Sequence, residues 1–242
     1  VNSTVRVVDG IFELPSLPSD AAHDRFLFGF QELNQTEIRV KNVSVEATGG
    51  SIPTVMAIEP SPKQELFTQS SIIIADVVLL SRGVPVGILA LDGPHLFDDV
   101  SFSITNVSVS IKAPVPGSST PQGERKYSSL HLYNAHFRNG SSIQVSNVSV
   151  RSALEQSSTR EFATAELLTI ERFTTTTATT QAAAISISDT FVELRSITDE
   201  RSIGIQTTNV VSITGVNCTK SGEGTTTPDF FFSNIIATLK TN

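Results

Sequence analysis

The chain of 242 residues contains a single cysteine, Cys218, and no tryptophan. One thiol excludes an internal disulfide. Charged residues make up only 17% of the chain, the formal net charge is −7, and no stripe of lysine or arginine is present. This balance argues against nucleic acid or anionic lipid as the main partner. The longest apolar run, Ser71–Leu80, is interrupted by Asp76, so we expect no membrane span in this chain.

Serine and threonine are abundant instead, at 58 residues of 242. This enrichment is typical of β-structure with a polar exterior, and it also suits an extracellular glycoprotein. The chain opens at Val1 without a signal-peptide pattern. We therefore expect a mature chain or a segment of a surface protein, forming one domain over residues 1–242.

One short phrase occurs four times. It reads I-R-V-K-N-V-S-V at Ile38–Val45, F-S-I-T-N-V-S-V at Phe102–Val109, I-Q-V-S-N-V-S-V at Ile143–Val150 and V-S-I-T-G-V-N-C at Val211–Cys218. Alternating apolar residues indicate a strand with one buried face. The asparagine or glycine that follows tolerates positive φ, so it predicts a bend into a second short strand.

The same pattern fits ten places when position 1, position 3 and position 8 are apolar and position 5 is Asn, Asp or Gly. The predicted bends are Asp9, Asn42, Asp76, Gly93, Asn106, Asn134, Asn147, Asp189, Gly215 and Asn234.

A strand-and-turn unit repeated at wide, uneven intervals is typical of a solenoid. Gly93 and Asn106 lie 13 residues apart, as do Asn134 and Asn147, which is most of one coil. All the other bends, with Gly215 among them, are taken as equivalent to Asn106 and Asn147 on successive coils. The sequence therefore predicts an all-β fold, a single-stranded right-handed parallel β-helix of roughly 7–9 coils with irregular loops.

Two other all-β folds fit the sequence less well, and little helix is expected. An immunoglobulin-like sandwich lacks its Cys-Trp-Cys core here, and a jelly roll would not repeat N-V-S-V in register. The best helix candidates are Ala153–Gln156 and Phe162–Leu168, although threonines surround them. A loop is expected at Gly49–Pro62.

Seven N-x-S/T sequons are present, where about 2 are expected by chance. Asn42, Asn106 and Asn147 stand at position 5, where an inward asparagine could bond its counterpart on the next coil in a ladder. A buried ladder amide cannot carry a glycan. Asn34 and Asn139 each follow the last apolar residue of a strand, at an outward corner, and are the candidates for N-glycosylation.

Three carboxylates form the nearest cluster for acid chemistry. Asp92, Asp98 and Asp99 lie in L-D-G-P-H-L-F-D-D beside His95, and a pair of carboxylates can act as general acid and base. A simpler interpretation makes Asp98 and Asp99 a corner between two strands, equivalent to the later R-N-G, with no basic partner on neighbouring coils. The four histidines are scattered, and we expect no metal site and no cofactor.

At V-S-F-S-I-T-N-V-S-V (Val100–Val109) the chain resembles the right-handed parallel β-helix repeat. More narrowly, it resembles the dispersed gene family surface proteins of trypanosomatids, which carry many S-V-x-I-x-N-V-x-V phrases in a setting rich in Ser, Thr and Val. The resemblance implies a large, glycosylated surface protein related to adhesins.

These observations predict an extracellular, non-enzymatic β-helix glycoprotein that serves as a stalk, adhesin-like segment or self-assembling component. Its partners would be other surface proteins, glycans or further copies of itself. The alternative is a polysaccharide lyase or glycoside hydrolase on the same scaffold, using Asp92, Asp98 and Asp99. A viral tailspike is a third interpretation. Fold alone decides none of these.

Overall fold

In the computed structural model every element of the described chain is a β-strand. The structure describes residues 3–14, 25–30, 33–48, 53–58, 65–82, 87–112, 125–155, 163–178, 185–197, 210–221 and 230–241. The strands are β1 (Ser3–Val8), β2 (Ile11–Leu14), β3 (Arg25–Phe30), β4 (Thr36–Thr48), β5 (Pro53–Ile58), β6 (Leu66–Arg82), β7 (Gly87–Asp92), β8 (Leu96–Lys112), β9 (Arg125–Tyr133), β10 (His136–Arg138), β11 (Ser142–Glu155), β12 (Ala163–Glu171), β13 (Thr174–Ala178), β14 (Ile185–Ile197), β15 (Val211–Thr214), β16 (Asn217–Ser221) and β17 (Phe230–Thr241).

The strands form two parallel sheets. The six-stranded sheet has the order β15-β12-β9-β7-β5-β3. The eleven-stranded sheet has the path β1-β4-β6-β8-β10-β13-β16, with β2 on β4, β11 between β8 and β14, and β17 on β14. The pairings that define both sheets are parallel. This confirms the predicted all-β class and the parallel strands.

The repeated phrases pair with one another in register. The first apolar position forms one row along the eleven-stranded sheet, in the order Val5, Ile38, Ile72, Phe102, Ile143, Ile185 and Phe230. Like residues stack on like, which is how parallel neighbours bury a shared core.

The three remaining phrases, which begin at Leu89, Leu130 and Val211, form a second row in the six-stranded sheet together with Leu168. Leu89, Leu130, Leu168 and Val211 pair successively there. The expectation that Gly215 is equivalent to Asn147 is therefore wrong, because Val211 pairs with Leu168 and Asp189 is followed directly by Asn234 in its own row. The bends of both sheets have the same strand-bend-strand sequence pattern, so the pattern alone does not indicate to which sheet a strand belongs.

All ten predicted bends have positive φ. The values are 57° at Asp9, 53° at Asn42, 56° at Asn106 and 53° at Asn147, for example, and 65° at Gly215. This is the left-handed region that Gly and Asn enter most readily. The prediction of bends from these residue types is confirmed.

Each bend shifts the alternation of buried residues by one. Ile38 and Val40 are buried, Lys41 and Asn42 are both exposed, and Val43 is buried again. Without the extra outward residue, the strand after the bend would turn its valines to solvent. The bend therefore redirects the chain while keeping both flanking strands on one core.

Aromatic side chains stack through this core in the same in-register way. The ring centroids of Phe67 and Phe97 are 5.2 Å apart, those of Phe97 and Phe137 5.0 Å, and those of Phe137 and Phe173 5.0 Å. All four side chains are buried. Such contacts add to the free energy of burying the rings.

Two local expectations are wrong. Ala153 lies within β11 and Phe162–Leu168 overlaps β12, so neither helix candidate is helical in its described residues. The expected loop at Gly49–Pro62 contains β5. In each case pairing with the adjacent parallel strand, such as Ala153 with Lys112, overrides the local preference of the sequence.

Positive φ at Asn106 predicts a residue-specific cost of substitution. Asn106→Ala and Asn106→Gly both delete the side-chain amide, but only alanine strains the left-handed backbone. We expect Asn106→Ala to have a free energy of unfolding about 1 kcal/mol below that of Asn106→Gly, measured by denaturant titration. Equal stabilities would contradict a bend that depends on positive φ.

Candidate functional site

The carboxylate of Asp98 is held by two residues of the next strand. Arg138 Nη2 and Nε donate to Asp98 Oδ2 at 2.8 and 3.0 Å, and Asn139 Nδ2 donates to Oδ1 at 2.6 Å. Arg138 stands opposite Asp98 because β8 and β10 pair in register. Asp98 therefore has a basic partner on the neighbouring strand, and the expectation that none is present is wrong.

The other two carboxylates are differently placed. Asp99 is exposed and forms the bend itself, with φ of 56°. Asp92 ends β7 in the six-stranded sheet, where its backbone carbonyl lies 3.0 Å from His95 Nε2. The structure thus joins Asp98 and Asp99 at one bend and places Asp92 at another, next to Gly93.

Proton transfer requires a carboxylate free to gain or lose a proton toward a substrate. Both oxygens of Asp98 instead accept charge-assisted hydrogen bonds that fasten β8 to β10. Among the described residues no group of three His, Cys, Asp or Glu side chains is arranged to hold a metal ion. The Asp98 cluster acts as a connection between strands.

His95 belongs to the aromatic core. Its side chain is fully buried, and its ring packs edge-on against Phe67 at a centroid distance of 5.3 Å. Its Nδ1 lies 3.9 Å from Glu65 Oε2. His95 is therefore a core residue, although it is a neighbour of Asp92, Asp98 and Asp99 in the sequence.

His136 lies next to Arg138 on the outward side of β10. Its Nε2 is 2.7 Å from Thr176 Oγ1. Burial, and then the positive charge of Arg138, lower the pKa of His136 below the ordinary value of 6.5. A neutral imidazole is thus favoured at this position.

The sequon asparagines of the repeated phrase form side-chain bonds between neighbouring bends. Asn42 Nδ2 donates to Asp9 at 3.0 Å, Asn106 Nδ2 to Asp76 at 3.0 Å and Asn147 Nδ2 to Asn106 at 2.6 Å. These three side chains are exposed. The expectation that they point inward and are buried is wrong, because the bend turns two successive residues outward.

The two glycosylation candidates differ at the atom that would carry the sugar. Asn139 Nδ2 is bonded to Asp98. Asn34 uses its oxygens instead, with Oδ1 accepting from Thr68 Oγ1 at 2.8 Å and its backbone carbonyl accepting from Thr36 Oγ1 at 3.0 Å. Within the described residues Asn34 Nδ2 donates no hydrogen bond, and the side chain is exposed.

Sequence reasoning missed Arg138 and the outward direction of the ladder. The contact of Arg138 could have been found by aligning Asp98-Asp99 with Arg138-Asn139, because this alignment places the Asp98 carboxylate beside the Arg138 guanidinium. The signal for the ladder was the apolar residue at position 6, such as Val43 or Val107. With position 3 and position 6 both buried, the two residues between them must both face solvent.

No family model matches this chain, and neither a curated protein nor a solved structure is detectably similar to it. In the described part of the chain no helix is long and apolar enough to cross a membrane.

The contacts of Asp98 predict a measurable effect on stability. Asp98→Asn removes the charge that pairs with Arg138, and we expect the free energy of unfolding to fall by about 1 kcal/mol. Asp99→Asn is the matched control, because asparagine also tolerates positive φ, and it should change stability little. Loss from the control equal to that from Asp98→Asn would contradict the assignment.

The lowered pKa of His136 predicts a pH dependence. As pH falls below 6.5, the unfolded chain takes up a proton at this imidazole before the folded chain does. The free energy of unfolding should therefore be highest above pH 6.5 and should decline as pH falls through the folded pKa. His136→Gln should flatten this slope in denaturant titrations, whereas His131→Gln, which retains His136, should preserve it.

Proposed function

We propose that this chain is an extracellular, non-enzymatic glycoprotein built as a right-handed parallel β-helix, and that it serves as a stalk or adhesin-like segment of a surface protein. The support is the in-register stacking of bends. A chain that returns to the same rows at each pass forms a rod whose outer face, rather than a cleft, meets other molecules.

Three rows of positive-φ residues support the coil. One row contains Gly93, Asn134, Arg172 and Gly215, and a second contains Gln35, Gln69, Asp99 and Asn139. The third runs through Asp9, Asn42, Asp76, Asn106, Asn147, Asp189 and Asn234. Two passes have a described residue in all three rows: one turns at Gly93, Asp99 and Asn106, and the next turns at Asn134, Asn139 and Asn147. Parallel crossovers are almost always right-handed, which supports that hand here.

The outward positions of β8 and β11 are mostly polar, with serine the commonest residue. Ser103 pairs with Gln144, and Gln144 with Ser186, on the outward side of β8, β11 and β14. Seven members of the third row at roughly 4.8 Å per strand would make a rod on the order of 30 Å long. A rigid spacer with hydroxyl and amide groups outside suits a surface molecule that displays loops or glycans to others.

The observation that carries the glycoprotein part of this proposal is the exposed Asn34, whose Nδ2 donates no hydrogen bond to any described residue. The enzyme alternative has no comparable support, because Asp98 is bound to Arg138 and Asn139. The resemblance to the dispersed gene family surface proteins points the same way. Partners would be other surface proteins or glycans.

Glycan occupancy tests this proposal directly. When the chain is secreted from eukaryotic cells, we expect Asn34 to be modified on most molecules. Asn139 should be modified less, because its amide is engaged by Asp98, and Asn42, Asn106 and Asn147 least. Glycopeptide mass spectrometry with and without an N-glycosidase measures each site.

Matched variants separate the sites. Asn34→Gln should remove most of the glycosidase-sensitive mass, whereas Asn139→Gln should remove little. Asp98→Asn is expected to leave Asn34 occupancy unchanged. If the secreted protein loses no mass on glycosidase treatment, the glycoprotein assignment is wrong.

A further inference from the structure

Six of the ten exposed large apolar side chains among the described residues lie on the strands at the two ends of the eleven-stranded sheet, and three others, Leu66, Val78 and Leu80, lie on β6. On β17 the side chains of Phe231, Phe232 and Ile236 are 57%, 37% and 53% exposed. On β1 and β2, Val8 and Ile11 are 51% and 81% exposed. Phe232 continues the buried row of Val145 and Ile187, whereas the outward rows of Phe231 and Ile236 contain mainly serine on β8, β11 and β14.

Both end strands also have an open backbone edge. Within the described residues, β17 pairs with β14 alone, and β1 and β2 pair with β4 alone. An unpaired strand edge presents a row of backbone N–H and C=O groups to any strand of matching geometry. Long, apolar and unprotected edges of this kind are interaction sites.

We propose that a second copy of this chain occupies the edge of β17, through its own β1 and β2, in a parallel head-to-tail junction. This inference rests on the coil architecture proposed above. The register follows from the pairing within one chain. Successive strand pairs place Arg6 and Phe231 in the same row, with five strands between them, and they place Ile11 and Ile236 in another row in the same way. In the junction Phe231 would lie beside Arg6 of the next copy, and Ile236 beside its Ile11.

The third row of bends favours joining unlike ends. Along the chain that row begins with Asp9 and ends with Asn234; it places two amides together once, at Asn106 and Asn147, and it never places two aspartates together. A head-to-tail junction places Asn234 next to Asp9 and continues the pattern, since Asn234 Nδ2 bonds Asp189 with one hydrogen and has a second. Two N-terminal edges would bring two Asp9 carboxylates together.

A contact of the proposed type already occurs inside the molecule. The guanidinium carbon of Arg151 lies 5.6 Å from the centre of the Phe191 ring on the adjacent strand. Arg151 reaches Phe191 diagonally, since its register partner is Glu193; Arg6 directly opposite Phe231 would place the same two residue types within reach of a cation–π contact at the junction. Both Arg6 and Phe231 are exposed in the single chain.

The junction is carried by the eleven-stranded sheet alone. The six-stranded sheet ends at β3, and the chain continues from β3 into β4, which is the second strand of the eleven-stranded sheet. No described strand of the six-stranded sheet therefore lies at the level of β1. Association through one sheet should be reversible and dependent on concentration. Since the two surfaces differ, it would produce chains of copies rather than closed dimers.

The test uses unglycosylated chain, so that its result is independent of glycan occupancy. Sedimentation velocity from about 1 to 100 μM should show growing linear species for the wild type. Phe231→Lys places like charges together and should weaken association about ten-fold, whereas Phe231→Glu faces Arg6 with an opposite charge and should weaken it less. The double variant Arg6→Glu/Phe231→Lys should recover association.

Leu80→Lys is the matched control. Leu80 is 40% exposed on β6, which is paired on both sides, so this variant should associate like the wild type. A wild type that stays monomeric with a β-sheet circular dichroism spectrum would overturn the junction and leave the proposed coil standing. Equal losses in Phe231→Lys, Phe231→Glu and Leu80→Lys would overturn the register.

Discussion

The structure depends on one backbone constraint, the single residue held at positive φ between two short strands. At that residue the alternation of buried and exposed side chains shifts by one position. The strands before and after it therefore bury their apolar side chains against the same core. Non-glycine residues avoid this conformation by roughly 1–2 kcal/mol, and asparagine and aspartate tolerate it best because their short side chains hydrogen-bond locally. Repetition of the bend in register then fixes which residues become neighbours along every row.

In-register stacking places each side chain next to its counterpart, and this explains the composition. Phenylalanine stacks on phenylalanine inside, from Phe67 to Phe173. Outside, the outward positions of β8 and β11 are mostly serine, with threonine at Thr105 and asparagine at Asn106 and Asn147. Where a carboxylate occurs in the third row, an amide follows it, as Asn42 follows Asp9. In this row the register therefore pairs each carboxylate with an amide donor on the next strand.

This constraint also decides what the sequence could predict. Bends at Asn, Asp and Gly were predictable because these residue types prefer positive φ, and the parallel pairing followed from their repetition. Gln35, Gln69 and Arg172 adopt the same φ without any such preference, because stacking against neighbouring bends holds them there. Sheet membership of Gly215, and the pairing of Arg138 with Asp98, depend on register between distant segments, which no single phrase contains.

The outward bend creates a competition for one atom. Nδ2 of an asparagine accepts an N-glycan, and Nδ2 also donates the bond that joins one bend to the next. A sequon at a bend therefore commits its amide to the scaffold, as at Asn42, Asn106, Asn147 and also Asn139. Asn34 precedes its bend, whose positive φ belongs to Gln35, and its Oδ1 rather than its Nδ2 contacts the next strand. Displacement of the sequon by one residue thus separates the proposed glycosylation site, Asn34, from the asparagines whose Nδ2 joins neighbouring bends.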